Sequence, residues 1–305
     1  MKKSSILALL ILCLLSAACN KNTSSQLRNF PIPVQPDTLR ILGWGNSFTD
    51  DGMQYLPDLL EAAGIRNVVL GRLYIGGCTL ERHCREYRDA LSNYIYYKSR
   101  GNHWVTVSPQ SSATEALKDE PWDIIVLQQA SGLSGIYETY HPWVEELFAI
   151  ARKYCPNKKA TIAWQQTWAY ARTSTHPEFP NYKCSQDTMF RAIAECCRRL
   201  VEDTPIRVVI PSGPALQELR KTAFCDSLDF TRDGYHLSYG MGRYLAACCW
   251  FETLVAPAFG VTVRDNSFRL QGTPEELSEL QALVCREYAC MALHSAQSVS
   301  PDKGD

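Results

Sequence analysis

The sequence contains no run of basic residues and no basic patch interleaved with aromatic side chains. Its 31 lysines and arginines are balanced by 32 aspartates and glutamates, which gives a net charge of −1 over 305 residues. Proteins that bind nucleic acid present concentrated positive charge to the phosphate backbone. We therefore predict no nucleic-acid partner.

The sequence also lacks a C-x-x-C motif, although it holds 13 cysteines. Cys78 and Cys84 flank a predicted helix start without a second pair of ligands, so we predict no structural zinc site. The adjacent cysteines at 196–197 and 248–249 lie inside helical patterns. Because free cysteine behaves as a small, usually buried hydrophobe, we expect most of these residues in the core.

The apolar run at residues 6–15 is too short for an ordinary membrane span. It follows Lys2 and Lys3 and leads through small residues to Cys19, which is the plan of an export signal. The cysteine at this position resembles the bacterial lipobox. We expect cleavage before Cys19, a lipid on its thiol and a location in the cell envelope, facing the periplasm or the cell surface. A soluble secreted protein cut near the same place is the alternative.

The domain organisation follows from this start. Residues 1–18 are the predicted signal, and residues 19–37, which are polar and proline-rich, are the lipidated cysteine and a flexible tether. Residues 38–295 form one predicted domain, and residues 296–305 a loose polar tail. Contact with the membrane is expected through the lipid anchor alone.

Five apolar stretches alternate with helical patterns along this domain. The predicted strands lie at about 38–44, 67–75, 123–129, 160–168 and 206–211, and the predicted helices at about 53–64, 79–97, 141–154, 184–203, 214–223, 237–255 and 274–295, the last with Thr273 as its N-cap. Short apolar runs between amphipathic helices are typical of a parallel sheet covered on both faces. We predict a three-layer α/β/α sandwich with about five parallel strands, and a hairpin insertion at 94–107.

A serine stands between the first predicted strand and the first predicted helix, in Gly45-Asn46-Ser47-Phe48. At this place Ser47 has backbone N–H groups and the positive end of a helix dipole beside it, which suits a nucleophile. The alternative is that Asn46, Ser47 or Asp50 only caps the helix, because these residue types are preferred caps.

A base and an acid stand near the other end of the chain, in Asp233-Gly234-Tyr235-His236. A serine hydroxyl needs a base to take its proton, and an anion that fixes the tautomer of that base. The loop follows the last predicted strand, so His236 and Asp233 can reach the edge where Ser47 lies. A surface or capping role for His236 is the competing interpretation.

Two further strand ends can supply donors for an oxyanion. The second strand ends in Tyr74-Ile75-Gly76-Gly77, where a backbone N–H can approach a ligand closely. The third ends in Gln128-Gln129, and either amide could reach the same cleft. Such glycines are often only turn residues, and such glutamines are often only polar.

Together these stretches resemble the SGNH/GDSL hydrolase superfamily over about residues 38–255. The resemblance implies a flavodoxin-like fold, Ser47, His236 and Asp233 as a catalytic triad, and an oxyanion hole of the Ser47 and Gly77 N–H groups. The superfamily's third block, Gly-x-Asn-Asp, is absent, and Gln128 stands where its asparagine would donate. The chain resembles a subgroup of uncharacterised bacterial lipoproteins with GNSF and LQ signatures. A G-x-S-x-G elbow is excluded, because Thr49 takes the place of its second glycine.

Aromatic residues and amides cluster where the fourth predicted strand ends, in Trp164-Gln165-Gln166-Thr167-Trp168. Flat rings with amide neighbours suit the faces and hydroxyls of a sugar. With Asn46, which precedes the nucleophile, Trp164, Gln165 and Trp168 form the predicted substrate-binding set. Packing in the core or at the rim is the alternative for each of them.

The sequence therefore favours a serine esterase that removes small acyl groups, in particular acetyl, from a carbohydrate. Such chemistry needs no metal and no organic cofactor. A lipase or thioesterase acting on longer acyl chains is the first alternative. A glycan-binding lipoprotein without activity is the second, although binding alone gives no reason to keep Ser47, Asp233 and His236 together.

Overall fold

The computed structural model describes residues 32–298 of the chain. The predicted signal, Cys19 and most of the predicted tether and tail lie outside these residues. The last part of the predicted tether belongs to the domain, because Ile32 is buried and the Gln35 N–H donates to the Ala258 carbonyl at 2.8 Å. The compact unit begins at Ile32.

One sheet of seven strands forms the centre of the domain, with the strand order β4-β3-β2-β1-β5-β6-β7. The strands are β1 (Leu39–Gly45), β2 (Val68–Tyr74), β3 (Tyr94–Arg100), β4 (His103–Ser111), β5 (Ile124–Leu127), β6 (Thr161–Gln165) and β7 (Val208–Ile210). The five strands predicted from the sequence pair in parallel, while β3 and β4 pair antiparallel at the β2 edge. The predicted hairpin is thus part of the sheet.

Helices cover both faces of the sheet, which confirms the three-layer α/β/α fold. One layer holds α3 (Leu80–Arg88), α4 (Ala113–Asp119), α5 (Trp143–Tyr154) and α6 (Gln186–Asp203). The other holds α1 (Ser47–Met53), α2 (Leu56–Ala62), α7 (Ser212–Leu219), α8 (Met241–Trp250), α9 (Ala256–Phe259) and α10 (Glu279–Ser298), with a π-helical turn, Phe251–Val255, between α8 and α9. Among the helices of residues 32–298, none has the length and apolar character that crossing a bilayer requires.

The predicted helices differ from the structure in several places. The helix predicted at 79–97 ends at Arg88, since Tyr94 already opens β3. The short α4 was not predicted, although Ser112 and Glu115 form a capping box at its start. The last helix begins at Glu279, where the Ser278 hydroxyl accepts from the Gln281 N–H at 3.3 Å, so Thr273 is not its cap.

Helix α1 lies directly on β1 because the strand has glycines where the two elements meet. A Cβ atom at Gly43 would come within 2.6 Å of Thr49, and one at Gly45 within 2.2 Å of the same side chain. Any larger residue would push the helix away from the sheet. The glycines therefore fix the position of the first residue of α1, Ser47.

The strand order also decides where a site can form. Within the parallel part the order is β2-β1-β5-β6-β7. The chain thus places β2 on one side of β1 and the next parallel strand, β5, on the other side. Ligands of open α/β sheets bind outside the carboxyl ends of the strands at such a switch point. Here that point is the end of β1, from which Ser47 follows after one residue, Asn46.

Candidate active site

The capping role at the start of α1 belongs to Asn46. Its Oδ1 atom accepts from the Phe48 N–H at 3.0 Å, which satisfies one of the free donors of the first turn. Ser47 is the first helical residue, and its Oγ atom lies 2.8 Å from His236 Nε2. Because Asn46 caps the helix, the hydroxyl of Ser47 is not needed as a cap and can contact His236.

The imidazole of His236 is held on its other side by Asp233. Asp233 Oδ2 lies 2.6 Å from His236 Nδ1, and Asp233 Oδ1 accepts from the N–H groups of Tyr235 at 3.2 Å and His236 at 2.8 Å. Partial burial raises the pKa of the Asp233 carboxyl, but the hydrogen bonds from His236 and the backbone outweigh it and hold this pKa below its ordinary value. The carboxylate therefore stays ionised and orients the ring with Nε2 towards Ser47.

A second carboxylate joins the nucleophile helix to the loop of the histidine. Asp51 lies in α1 with a side chain that is 0% exposed, and it accepts from Arg232 Nη1 at 3.0 Å, Arg243 Nε at 2.7 Å and the Leu237 N–H at 2.9 Å. Arg232 and Leu237 flank the segment from Asp233 to His236 on either side. Asp51 thus fixes the distance between Ser47 and His236. The sequence pattern did not identify this role.

The backbone N–H groups of Ser47 and Gly77 are candidates for an oxyanion hole. Among residues 32–298, neither group donates to a protein acceptor. Gly77 has φ +61°, a left-handed conformation that favours glycine, and it lies in an exposed turn between β2 and α3. The side chain of Asn46 donates to the Cys78 carbonyl at 3.0 Å, so it holds this turn beside the nucleophile.

The two glutamines after β5 have different partners. Gln128 is 1% exposed and donates through Nε2 to Asn46 Oδ1 at 2.6 Å. Gln129 accepts from the Leu80 and Ala130 N–H groups and donates to Thr139, so it holds loops together. The contact with Asn46 leaves Gln128 one amide hydrogen for the predicted oxyanion contact, which stays a prediction.

The family comparison agrees with the extent of this domain. Residues 40–292 match the model of DUF4886, a domain of unknown function. The chain belongs to the DUF4886 family. The crystal structure of a DUF4886 family protein from Bacteroides uniformis ATCC 8492 is similar, with 35% sequence identity and a TM-score of 0.77 over 87% of this chain and 98% of that one. No curated protein matches the sequence.

More distant structures resemble part of this DUF4886 chain. A putative SGNH hydrolase from Slackia heliotrinireducens is 23% identical, with a TM-score of 0.48 over 71% of this chain and 98% of that one. An acetylxylan esterase from Geobacillus stearothermophilus is 13% identical, with a TM-score of 0.47 over 73% of this chain and 95% of that one.

The residues predicted to bind substrate are buried in this DUF4886 chain. Trp164 is 2% exposed and packs in the core, while Gln165, 0% exposed, donates to the Phe48 carbonyl and accepts from Trp250. Trp168 is also 0% exposed and stacks on Phe48, with ring centroids 4.2 Å apart. The prediction of direct substrate contact is wrong for these three residues. Gln165 and Trp168 support the site from beneath, because both contact Phe48, which follows the nucleophile.

Asn46 is also held by the protein, at the start of α1. It is 2% exposed, and both ends of its amide have protein partners, namely Phe48 and Gln128 on the oxygen and Cys78 on the nitrogen. It therefore organises the nucleophile turn, while one hydrogen of its amide nitrogen has no protein acceptor among the described residues, and its contact with substrate stays a prediction.

Half-buried aromatic residues lie beside the histidine instead. The ring of Tyr235 is 4.3 Å from that of His236 and 4.6 Å from that of His176, between centroids. Partial burial is the main cause that lowers the pKa of His176. Tyr235 lies inside the segment that carries the acid and the base, so the motif itself contained the signal for its position.

Proposed function

We propose that this DUF4886 chain is a serine ester hydrolase with Ser47, His236 and Asp233 as its catalytic triad. One observation carries the proposal, namely the continuous chain of hydrogen bonds from Ser47 Oγ through the imidazole to Asp233, at 2.8 Å and 2.6 Å. This is the relation that activates a serine hydroxyl, since the base lies within reach of the proton and the acid orients the base.

The reaction follows from these positions. Ser47 Oγ attacks the acyl carbon while His236 Nε2 takes its proton, and Asp233 stabilises the charged imidazole. The negative charge on the carbonyl oxygen is met by the Ser47 and Gly77 N–H groups, which have no competing protein acceptor among the described residues. His236 then gives its proton to the leaving alcohol. Water, activated by the same imidazole, releases the acid from Ser47.

The substrate that we propose is a small acyl ester, in particular acetyl, on a carbohydrate. Support comes from two half-buried tyrosines at the site, Tyr74 before the oxyanion turn and Tyr235 against His236. A tyrosine offers an apolar ring and a polar hydroxyl, which suits the mixed surface of a sugar.

The test is hydrolysis of p-nitrophenyl acetate beside p-nitrophenyl octanoate by residues 32–298. We expect turnover of the acetate, and a fall of at least about a thousandfold in kcat in both Ser47→Ala and His236→Ala. Ser212→Ala is the matched control, because Ser212 also begins a helix after a parallel strand but is buried without a partner among the described residues.

Other results of this assay would favour one of the alternative functions. A preference for the octanoate would favour a lipase or thioesterase. Wild-type activity no higher than that of Ser47→Ala would contradict an esterase, and glycan binding retained by both proteins would then favour a binding module.

We further propose that the full chain is exported and carries a lipid on Cys19, which the signal-like residues 1–18 support. Metabolic labelling with a fatty acid tests this. Label in the wild type and none in Cys19→Ala is expected, whereas equal labelling of both would contradict it.

A further inference from the structure

A cluster of polar and aromatic side chains adjoins the nucleophile on the side of the hairpin β3–β4. Its members are Asp50, Arg72, Tyr74, Tyr97 and Trp104, which we call the Asp50 cluster. Asp50 lies three residues after Ser47 in α1, so both side chains are on one face of the helix. Tyr74 closes β2, just before the oxyanion turn. The cluster is thus continuous with the proposed catalytic site.

The buried Arg72 fixes the geometry of this cluster. It is 5% exposed, and its guanidinium carbon lies 4.9 Å from the ring centroid of Tyr97 and 4.0 Å from that of Trp104. Its Nη1 atom lies 3.5 Å from Asp50 Oδ1. Cation–π contacts on both rings hold the aromatic side chains in place, so that the cluster is preorganised.

Two polar atoms in the cluster have no hydrogen-bond partner among the described residues. They are Asp50 Oδ1, which makes the ion pair with Arg72 Nη1 but no hydrogen bond, and Arg72 Nε, both shielded from solvent. Burial is the main cause that raises the pKa of Asp50, and the charge of Asp50 is one of the causes that raise the pKa of Tyr74. Buried polar groups without partners are costly, and they recur where a ligand completes the hydrogen bonding.

We propose that the Asp50 cluster is a subsite for a neutral sugar residue of the substrate, adjacent to the acylated hydroxyl. In this subsite Asp50 accepts a hydrogen bond from a sugar hydroxyl, and the half-buried Tyr97 packs against the sugar ring. The inference rests on the proposed esterase function and names the class of alcohol that the enzyme releases.

The charges of the cluster favour a neutral sugar. Arg72 is paired with Asp50, so the pair carries no net positive charge that would attract a uronate or a sulfated sugar. The carboxylate of Asp50 also has side-chain exposure of 27%, so its open side would repel an anionic ligand. Hydroxyl groups are the ligand donors that such an acceptor can use.

The experiment compares acetate release from three substrates, namely p-nitrophenyl acetate, an O-acetylated cello-oligosaccharide and an O-acetylated oligogalacturonide. For each variant, kcat/KM on the neutral oligosaccharide is divided by kcat/KM on p-nitrophenyl acetate. We expect this ratio to fall by about tenfold in Asp50→Ala and in Tyr97→Ala, because a hydrogen bond to a charged group and a ring contact are lost. In Asp50→Asn the ratio should fall less. This variant should also show a smaller preference for the neutral over the anionic oligosaccharide.

Tyr288→Ala, which removes a half-buried tyrosine from α10, is the control and should leave the ratio unchanged. The subsite is refuted by an unchanged ratio in both Asp50→Ala and Tyr97→Ala, by a wild-type preference for the anionic oligosaccharide, or by a wild type that hydrolyses p-nitrophenyl acetate but neither oligosaccharide. Failure of the esterase proposal looks different, since Ser47→Ala would then equal the wild type on p-nitrophenyl acetate itself.

Discussion

Replacing Asp51 by asparagine should loosen the catalytic loop from the nucleophile helix. The fully buried carboxylate is shared by Arg232, Arg243 and the Leu237 N–H at distances of 2.7 to 3.0 Å. Removing one partner of a buried ion pair costs about 3–5 kcal/mol. The arginine side chains are 22% and 16% exposed, so solvent recovers part of this cost. We therefore expect a loss near the lower limit, about 3 kcal/mol of unfolding free energy.

For a domain of this size such a loss lowers Tm by about 6–12 °C. Displacement of His236 by as little as 1 Å should lower kcat on p-nitrophenyl acetate by about a hundredfold, with less change in KM. The assay is run at 15 °C, where the variant is folded, so that lost activity reports position and not unfolding. Asp187→Asn, at an exposed acid in the first turn of α6, is the control. A variant of Asp51 with wild-type kcat would refute the positioning role.

Three further predictions concern single residues. Gly77→Ala should lower kcat by about tenfold to a hundredfold, because the positive φ is strained for alanine and the N–H turns away from the oxyanion. Gly64→Ala is the control and should leave kcat unchanged, since Gly64 has φ +70° and equally open space around it. Asp233→Asn should lower kcat by about a hundredfold to ten thousandfold at unchanged Tm, and a smaller kinetic loss would exclude an orienting carboxylate. Burial lowers the pKa of His83 to about 3 in the folded chain, whereas the same imidazole in the unfolded chain has a pKa of about 6.5. As the pH falls below about 6.5, the unfolded chain therefore binds a proton at this residue that the folded chain does not bind. Urea unfolding should therefore show about 3 kcal/mol less stability at pH 4 than at pH 7 from this residue, and His83→Gln should remove that difference.

The parallel sheet was predictable because its strands are buried on both faces. Each of β1, β5 and β6 reads as a short apolar run, and helical patterns separate these runs, so both the strand type and the layer order follow from the sequence. The hairpin was harder to place. Its strand β3 carries alternating burial in Tyr94–Arg100, a pattern that overlaps the helical spacing of the residues before it. The predicted helix therefore ran on into β3.

The proximity of Ser47, Asp233 and His236 was also predictable, since strand ends of a parallel sheet share one edge. The roles of Trp164, Gln165 and Trp168 were not. Residue type shows that an aromatic ring or an amide can bind a ligand. Only the packing of the folded chain decides whether that ring or amide already contacts another part of the protein. Asp51 was missed for the same reason, because its partners lie more than 180 residues away along the chain.

Covalent trapping tests the central claim, an activated Ser47, most directly. A fluorophosphonate reacts with an activated serine to form a phosphonate ester and release fluoride, and mass spectrometry of the intact protein counts the adducts. We expect one adduct on Ser47 in the wild type, none in Ser47→Ala, and labelling slowed by at least about a hundredfold in His236→Ala, because the base that removes the proton is gone. Absence of an adduct in the wild type, or an adduct on another residue that persists in Ser47→Ala, would contradict the account.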